Sequence, residues 1–379
     1  MFRVRAISVL LFACMAVSCE AQSGSPFVNT NIFEPVSTPA HDVHFLSLFV
    51  LLITGGIFLG VSSLLVYALV RYRSKPGDKL EPPQVFGSTQ IELAWTIIPV
   101  LLVTVLFLGT ARVIFAIQDA PEPKNAVDVV VVGHQFWWEY RYPQYGIVTA
   151  NELHVPASTD AHPQPTYLKL TSADVMHSFW VPRLAGKTDV LPNRVNAMWF
   201  DPHVPGVYLG QCAQFCGPEH AKMLLRVYVD PPDKFAAWVK AQQQSQQELP
   251  ASAFESAEGQ QSASAGGPSN QAGANAQEVN ASQSENAVNA RAGQIVFEQQ
   301  ACVNCHTIRG TMANGRYGPD LTHLMSRDTI GSGIVPNTRE NLLRWINDPN
   351  DFKPGCLMPA MHLTDEQNAQ ITAYLLTLH

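Results

Sequence analysis

The sequence predicts a multidomain protein with a two-helix transmembrane hairpin, an all-β domain and a small all-α domain, in that order. Two long apolar segments, a series of short strands rich in β-branched and aromatic residues, and a Cys-x-x-Cys-His run near the C-terminus lead to this prediction. The net charge of −7 over 379 residues argues against nucleic acid as a partner. The predicted divisions are a leader at 1–19, an external segment at 20–42, the hairpin at 43–117, the all-β domain at 118–232, a helix and disordered linker at 233–288, and the all-α domain at 289–379.

The hairpin is predicted from the apolar segments Val43–Val70 and Leu93–Ile117, each longer than the roughly 20 helical residues that span a bilayer. The loop between them is basic and the flank after the second segment is acidic. The loop carries Arg71, Arg73, Lys75 and Lys79 against Asp78 and Glu81, and the flank carries Asp119 and Glu122. Because basic loops stay in the cytoplasm, the N-terminal segment and the large C-terminal region are predicted to lie outside the cell membrane.

The first residues have the pattern of a secretory signal, with Arg3 and Arg5 before an apolar run from Ala6 to Val17. The residues that follow resemble a lipoprotein cleavage box ending at Cys19, which makes Cys19 a candidate for lipidation. Ordinary cleavage after Ala21 is the alternative.

Near the C-terminus, Cys302, Cys305 and His306 form the C-x-x-C-H pattern of covalent haem attachment. The two thiols would bond the vinyl groups of haem c, and the histidine would ligate the iron. Half of a zinc site is the alternative, but zinc would need further clustered Cys or His residues that this segment does not supply. External haem attachment agrees with the predicted orientation in a bacterial cytoplasmic membrane.

The sixth iron ligand is predicted to be Met358, in a Pro-bounded loop from Lys353 to Pro359 that can hold a thioether rigidly. A backbone carbonyl of Gly318 or Pro319 is expected to orient His306. The whole stretch from Asn289 to the C-terminus resembles a class I cytochrome c. The alternative sixth ligands are Met361, Met325 and His323.

Residues Gln244 to Val288 are dominated by Gln, Ser, Ala, Asn and Gly. Such a composition predicts a flexible tether, because it offers too little apolar surface to become ordered. The tether would keep the haem domain at high effective concentration near the preceding domain.

A second group of metal-ligand types comprises Cys212, Cys216, His220 and Met223, with His177 upstream. By ligand type alone, a zinc site with two Cys and two His residues competes with copper. Met223 favours copper, because copper electron-transfer sites use thioethers and zinc sites do not.

The pattern C-x-x-x-C-x-x-x-H-x-x-M with an upstream His resembles the dinuclear CuA centre of the cytochrome c oxidase subunit II family. The resemblance implies bridging thiolates from Cys212 and Cys216, one imidazole each from His177 and His220, a weak axial thioether from Met223, and the backbone carbonyl of Gln214. The family usually has Glu in place of Gln214, and that side chain helps to bind magnesium near subunit I. The resemblance therefore does not extend to the magnesium contact. The copper role of the Gln214 carbonyl is unaffected, because a backbone carbonyl does not depend on the side chain.

The region around these ligands reads as short strands separated by Pro and Gly. It resembles a cupredoxin fold, with His177 on an inter-strand loop and the other ligands on the loop joining the last two strands. The predicted strands are Ala126–Gly133, Gln135–Tyr142, Thr166–Thr171, Arg194–Phe200, Gly206–Gln211 and Lys222–Asp230.

Three further segments resemble the same family. In the aromatic segment after Gly133, Phe136 takes the place of the tryptophan through which electrons commonly enter; aromatic core packing is the alternative, and Trp137 and Trp138 are predicted to be core. In the loop before Arg194, Asn193 replaces a Gly and should tolerate a left-handed conformation. Glu92, at the start of the second apolar segment, is a candidate carboxylate for proton uptake; a carboxylate at the headgroup boundary is the alternative.

Taken together, the resemblance implies subunit II of a caa-type cytochrome c oxidase with a fused cytochrome c domain. Electrons would pass from an external donor, such as a small cytochrome c or another periplasmic redox protein, to haem c and then to CuA. Subunit I, with its haem and copper B, would reduce oxygen to water with coupled proton transport, and subunit III and membrane lipid would be further partners. No catalytic residue is expected in this chain. Nitrous oxide reductase and a free-standing membrane-anchored redox shuttle are the alternative classes.

Overall fold

A computed structural model describes residues 31–73, 77, 84, 86–118, 122–159, 161–245 and 289–379 of the protein. The predicted leader, the candidate lipidation site Cys19, most charges of the predicted cytoplasmic loop and nearly all of the predicted tether lie outside the described residues. The described residues form two long helices, a β-sandwich and a C-terminal, mainly helical domain.

The two long helices are α1 (Thr38–Arg71) and α2 (Thr89–Gln118). Each has a mean hydropathy of 2.4 in its most apolar window and is long and apolar enough to cross a membrane. Both begin a few residues before the apolar segments that the sequence predicts, and Glu92 lies in the first turn of α2. Their apolar side chains are exposed along most of their length, as expected of helices whose natural surroundings are lipid.

The start of α1 is fixed to the β-sandwich. The backbone N–H and the hydroxyl of Thr38 donate to the two carboxylate oxygens of Asp201, at 2.7 and 2.6 Å. The hydroxyl of Ser37, which is fully buried, donates to the carbonyl of Leu184. An Asp that satisfies a free N–H group at a helix N-terminus also complements the helix dipole. The sandwich therefore has a defined position relative to the two-helix hairpin.

The sandwich consists of two five-stranded sheets, ordered β3-β2-β1-β5-β8 and β4-β10-β9-β6-β7. Strand β1 pairs antiparallel with β2 and parallel with β5, and β9 and β10 form an antiparallel pair. The strands are β1 (Val127–His134), β2 (Trp137–Tyr142), β3 (Ile147–Ala150), β4 (Glu152–Pro156), β5 (Thr166–Ser172), β6 (His177–Trp180), β7 (Thr188–Val190), β8 (Asn196–Phe200), β9 (Gly206–Cys212) and β10 (Leu224–Asp230).

Alternating side chains of both sheets form the core of the sandwich. In β5, for example, Leu168 and Leu170 are fully buried, whereas Tyr167 and Lys169 are partly exposed. The predicted strands correspond to β1, β2, β5, β8, β9 and β10, whereas β3, β4, β6 and β7, none longer than five residues, are not predicted. The predicted placement of His177 on a loop is wrong, because His177 is the first residue of β6 and pairs with Val190.

The C-terminal domain follows α3 (Pro232–Gln242) and begins with α4 (residues 289–299). It contains α5 (Cys302–Cys305), α6 (Arg339–Asn347) and α7 (Asp365–Leu375). Gly293 lets α4 cross closely over α7, since a Cβ atom there would lie 1.9 Å from the carbonyl oxygen of Gln370.

The domain is mainly helical, as predicted, and contains one short two-stranded hairpin in which β11 (Thr329–Ile330) pairs with β12 (Val335–Pro336). This hairpin faces the sandwich: the hydroxyl of Ser332, in its turn, donates to the carbonyl of Leu224 at 2.7 Å.

Candidate metal centre and haem cavity

The structure brings the six residues of the predicted copper centre together. One ligand atom from each of His177, Cys212 and Cys216 lies within 4.8 Å of the other two, and all three residues are buried. The remaining donors contact the same two sulfurs. The Sγ atom of Cys212 lies 3.8 Å from Nδ1 of His177, 3.8 Å from Sγ of Cys216 and 3.2 Å from the carbonyl oxygen of Gln214; the Sγ atom of Cys216 lies 3.8 Å from Nδ1 of His220 and 3.9 Å from Sδ of Met223.

The hairpin of β9 and β10 positions these donors. Cys212 ends β9, Met223 immediately precedes β10, and the backbone N–H of Cys212 donates to the carbonyl of Met223 at 2.9 Å. The loop between them holds Cys216 and a short 3₁₀ turn that begins at His220. A rigid pair of strands thus fixes both ends of the loop that carries most of the donors, which limits how far the donors can move.

Asp174 orients the upstream imidazole. Its carboxylate lies 2.9 Å from Nε2 of His177 and accepts the backbone N–H groups of Gln135 and Val175, each at 2.6 Å. Burial alone would raise the pKa of Asp174, but these hydrogen bonds outweigh burial and the pKa is lowered. Nδ1 of His177 is thereby left facing the sulfurs, the arrangement in which an outer carboxylate supports a metal-binding histidine. Sequence analysis missed Asp174; its only signal is a carboxylate three residues before a candidate ligand.

The two thiols are coupled electrostatically. A hydrogen bond from Cys216 lowers the pKa of Cys212, and the Cys212 thiolate in turn raises the pKa of Cys216. Burial also opposes ionisation of Cys216. Two adjacent buried thiolates therefore require positive charge between or beside them, which copper ions would provide. The donor set of two thiols, two imidazoles and a thioether suits copper.

The helical domain encloses a largely apolar cavity of about 440 Å³. Cys302, Cys305 and His306 line it, as haem attachment requires. Nδ1 of His306 lies 2.8 Å from the carbonyl oxygen of Pro319, which confirms the predicted orienting carbonyl. Burial lowers the pKa of His306, so the ring is neutral and its Nε2 is available to a metal. Gly318 is required beside it, because a Cβ atom there would lie 2.6 Å from Cε1 of His306.

The cavity also separates the candidates for the sixth ligand. Met358 and Met361 line it, whereas Met325 does not. Both ring nitrogens of His323 are engaged elsewhere: Nδ1 lies 2.7 Å from the carbonyl oxygen of His379 and Nε2 lies 2.9 Å from Nη2 of Arg309. The two methionines are therefore the remaining candidates.

Arg327 provides a test of whether haem fits this cavity. Its side chain lines the cavity and is 8% exposed, and its Nη2 donates to the carbonyl of Asp320. Its Nε is buried without a hydrogen-bond partner. An unpaired donor on a buried cation suits a carboxylate, and haem carries two propionate carboxylates. The thiols, the imidazole, the thioethers and this guanidinium together fit haem c.

The β-sandwich closes one side of the haem cavity. Gln135, Phe136, Trp137 and Asn151 line the cavity alongside residues of the helical domain. The ring of Phe136 also reaches the copper-ligand loop, since a Cβ atom on Gly217 would lie 2.9 Å from its Cζ atom. Gly217 has a φ of 136° and directly follows Cys216. One aromatic side chain thus adjoins both the cavity and the candidate copper ligands.

The other residues singled out from the sequence have clear positions. Trp138 is fully buried core and its ring contacts that of His177, with centroids 5.9 Å apart. Trp137 stacks on His134, with centroids 4.2 Å apart, and in addition lines the haem cavity. Asn193 has a φ of 58°, which confirms the left-handed conformation predicted for it.

A membrane hairpin that carries a cupredoxin-like sandwich and a cytochrome c domain defines a membrane-anchored redox protein. The chain belongs to the cytochrome c oxidase subunit II family and carries a fused C-terminal cytochrome c domain. The family models that match are the transmembrane domain of cytochrome c oxidase subunit II at residues 27–111, its periplasmic domain at 160–229, and cytochrome c at 290–379.

Two relatives of similar length agree with this assignment, and one solved structure resembles part of the chain. Cytochrome c oxidase subunit 2 of Alkalihalophilus pseudofirmus is 33% identical over 332 residues, which cover 85% of this chain and 84% of the relative. The subunit 2 protein of Bacillus sp. strain PS3 is 33% identical over 325 residues, covering 81% of this chain and 80% of the relative. The crystal structure of the periplasmic domain of oxidase subunit II from Bradyrhizobium japonicum is 29% identical, covers 32% of this chain and 95% of that chain, and has a TM-score of 0.30.

Proposed function

We propose that this chain is the electron-input subunit of a haem-copper oxidase, with the domain divisions predicted from its sequence. Electrons from an external donor would enter at haem c, pass to a dinuclear CuA centre and continue to the haem of subunit I. Oxygen would be reduced in subunit I, with coupled proton transport. The observation that carries this proposal is the shared position of Phe136, which borders the haem cavity and packs beside the loop of Cys216.

The copper roles are assigned residue by residue. Cys212 and Cys216 would hold the copper ions through their thiolates and His177 and His220 through one imidazole each, and Met223 and the Gln214 carbonyl would be weaker donors. Bound copper supplies reversible one-electron exchange, and Asp174 holds His177 in the required tautomer. The fixed strands on both sides of the loop limit the rearrangement that a change in oxidation state requires.

The lining of the cavity supports the proposed haem roles. Cys302 and Cys305 would attach the haem through thioether links, and His306 and Met358 would bind its iron, with Met361 as the alternative to Met358. Arg327 binds a propionate through its unpaired Nε. Phe136 is the side chain through which electrons leave the haem cavity for the copper centre.

The membrane arrangement completes the proposal. The sandwich and the cytochrome c domain lie on the periplasmic face of a bacterial cytoplasmic membrane, where subunit I and subunit III assemble around α1 and α2. Glu92 is a proton-uptake carboxylate near the start of α2, and Cys19 is the lipidated residue of the mature chain. Gln214 leaves the magnesium site of the family without its usual carboxylate.

Metal and optical analysis of the complex purified in mild detergent tests this function. We expect two coppers per chain in this subunit, a near-infrared mixed-valence band with its EPR signal, covalent haem c and a co-purifying haem-containing subunit. Cys216→Ser should remove the near-infrared band and leave haem c intact, whereas His306→Ala should alter haem c and leave the copper signal. Zinc, a single copper, or a chain that purifies without a partner would contradict the proposal and favour the redox shuttle or a structural metal.

A further inference from the structure

The contact between the cytochrome c domain and the sandwich buries two charged side chains, one from each domain. Glu152 is the first residue of β4 in the sandwich, and Lys353 begins the loop that carries Met358. Each side chain belongs to a residue that is 2% exposed. Among the described residues, neither lies within 4.0 Å of an oppositely charged side chain. Burying an ion without a counter-ion costs free energy unless other polar groups bind it. The groups that bind Glu152 and Lys353 therefore show how the contact is stabilised.

Glu152 of the sandwich binds the main chain of the cytochrome c domain. Its carboxylate accepts the backbone N–H groups of Asp328 and Thr329 at 3.0 and 2.9 Å. It also accepts the hydroxyl of Thr329 at 2.6 Å. These donors lie at the start of the β11–β12 hairpin, and Thr329 lines the haem cavity. A buried carboxylate with three donors is stabilised only while the two domains are in contact.

Lys353 of the cytochrome c domain binds the main chain of the sandwich in the opposite direction. Its Nζ donates to the carbonyl of Phe136 at 2.7 Å and to the carbonyl of Gly331, in its own domain, at 3.3 Å. Burial lowers the pKa of Lys353 to about 8, although Glu219 opposes this effect. The lysine thus connects the loop of the candidate iron ligand Met358 to the segment of Phe136.

Further contacts surround this pair. The hydroxyl of Tyr228 donates to the Asp328 carboxylate at 2.6 Å, and Nζ of Lys222, next to Met223, donates to the carbonyl of Phe352 at 3.0 Å. Each joins the sandwich to the haem domain. Because a backbone N–H or carbonyl has a fixed direction, contacts of this kind define one relative position of the two domains rather than a range of encounters.

We propose that Glu152 and Lys353 form a docking latch, a reciprocal pair of positioning residues that holds the haem cavity against Phe136 in a single arrangement. The consequence for electron transfer rests on the proposed function, whereas the latch itself rests on the contacts between the domains. Because the latch is buried, salt does not screen it, and electron transfer from haem to copper is independent of ionic strength. If the haem domain bound the sandwich only transiently through surface charges, electron transfer would depend on ionic strength.

Hydrogen exchange on the full chain in its purified complex tests the latch without reference to copper. The amides of Asp328 and Thr329 should exchange about tenfold faster or more in Glu152→Lys. The lysine ammonium group cannot accept hydrogen bonds from the two N–H groups and the hydroxyl that the Glu152 carboxylate accepts. Glu152→Gln keeps an acceptor oxygen and should stay within about threefold of the native chain. The decisive variant is Lys353→Glu: it should accelerate exchange of the same two amides, although Lys353 does not contact them. Unchanged protection in Lys353→Glu would overturn the latch.

Photochemical injection of an electron into haem c measures the functional consequence. We expect Glu152→Lys and Lys353→Glu to slow haem-to-copper transfer about tenfold or more and to make it salt-dependent, with copper content unchanged in both variants and the haem spectrum unchanged in Glu152→Lys. Glu340→Lys and Lys234→Met change exposed charges outside the contact and should behave as the native chain does. Native rates in both latch variants would overturn the positioning role. If the native complex lacks dinuclear copper, the proposed function fails, and the exchange experiment still decides the latch.

Discussion

Asp174 illustrates how a residue outside the donor set controls the metal centre. Its carboxylate lies 2.9 Å from Nε2 of His177, so the opposite ring nitrogen faces the thiols. Asp174→Asn keeps the size of the side chain but replaces the carboxylate with an amide, which no longer favours the His177 tautomer with its proton on Nε2. Outer carboxylates of this kind typically contribute about 10–100-fold to metal affinity, and we expect a loss of copper affinity in that range.

Competition with a copper chelator measures this loss, with copper retention read from the near-infrared band. Asp233→Asn, on the exposed face of α3, is the matched control and should retain copper as the native chain does. Equal retention in Asp174→Asn and the native chain would show that the backbone alone orients His177.

At the residue scale, the sequence predicts donors far better than it predicts their supports. The donors are rare residue types at fixed spacing, and the β9–β10 hairpin brings four of them together within one loop. Supports such as Glu152 bind backbone atoms 176 and 177 positions away in the chain. Spacing carries no signal for such a contact, and a common residue type such as Glu does not stand out in composition.

At the scale of single elements, the strands that the sequence does not predict are short. Strands β6 and β7 are only four and three residues long, too short to show a period of two. Their pairing comes from neighbours: β6 lies between β7 and β9 in its sheet. The segment of His177, predicted to be a loop, is a strand because it pairs with strands from other parts of the chain. The local sequence carries no signal for that pairing.

Strand β2 has an acid-sensitive ion pair that predicts a pH dependence. Glu139 lies 3.0 Å from Nε2 of His134 and also contacts Nε of Arg141. Burial alone would raise the pKa of Glu139, but these two partners outweigh burial and lower it. A carboxyl with a lowered pKa stabilises the folded state above its usual pKa of about 4.3, and the stabilisation is lost as the pH falls through the folded pKa.

Denaturant unfolding of the full chain, followed by tryptophan fluorescence, tests this dependence. The free energy of unfolding of the native chain should fall more steeply from neutral to acid pH than that of Glu139→Gln. Glu340→Gln, on an exposed first turn of α6, should follow the native chain. Parallel curves for the native chain and Glu139→Gln would contradict a lowered pKa.

At the scale of the whole molecule, composition and motifs predict the three units but not how they contact each other. The segment before the cytochrome c domain is predicted to be a tether that raises effective concentration, which requires no particular contact. The structure adds a defined contact in which the sandwich closes the haem cavity at Phe136. That contact is formed by two surfaces whose residues are far apart in the sequence. Local sequence patterns therefore cannot predict it.

A defined contact and a simple tether differ in how electron transfer depends on the length of the tether. Doubling a flexible segment costs only about 0.6 kcal/mol in closure free energy, because the entropy grows with the logarithm of length. If the latch keeps the domains together, a Gly-Ser insertion that doubles residues 246–288 should leave the haem-to-copper rate unchanged, since the docked state stays almost fully populated. If the domains meet only through tethered diffusion, the rate should fall by about threefold, in step with the effective concentration.

Photochemical injection distinguishes the two outcomes, and the same insertion in Glu152→Lys should restore the dependence on length. A fall in the native background would mean that the tether, and not the contact, brings the haem to the copper.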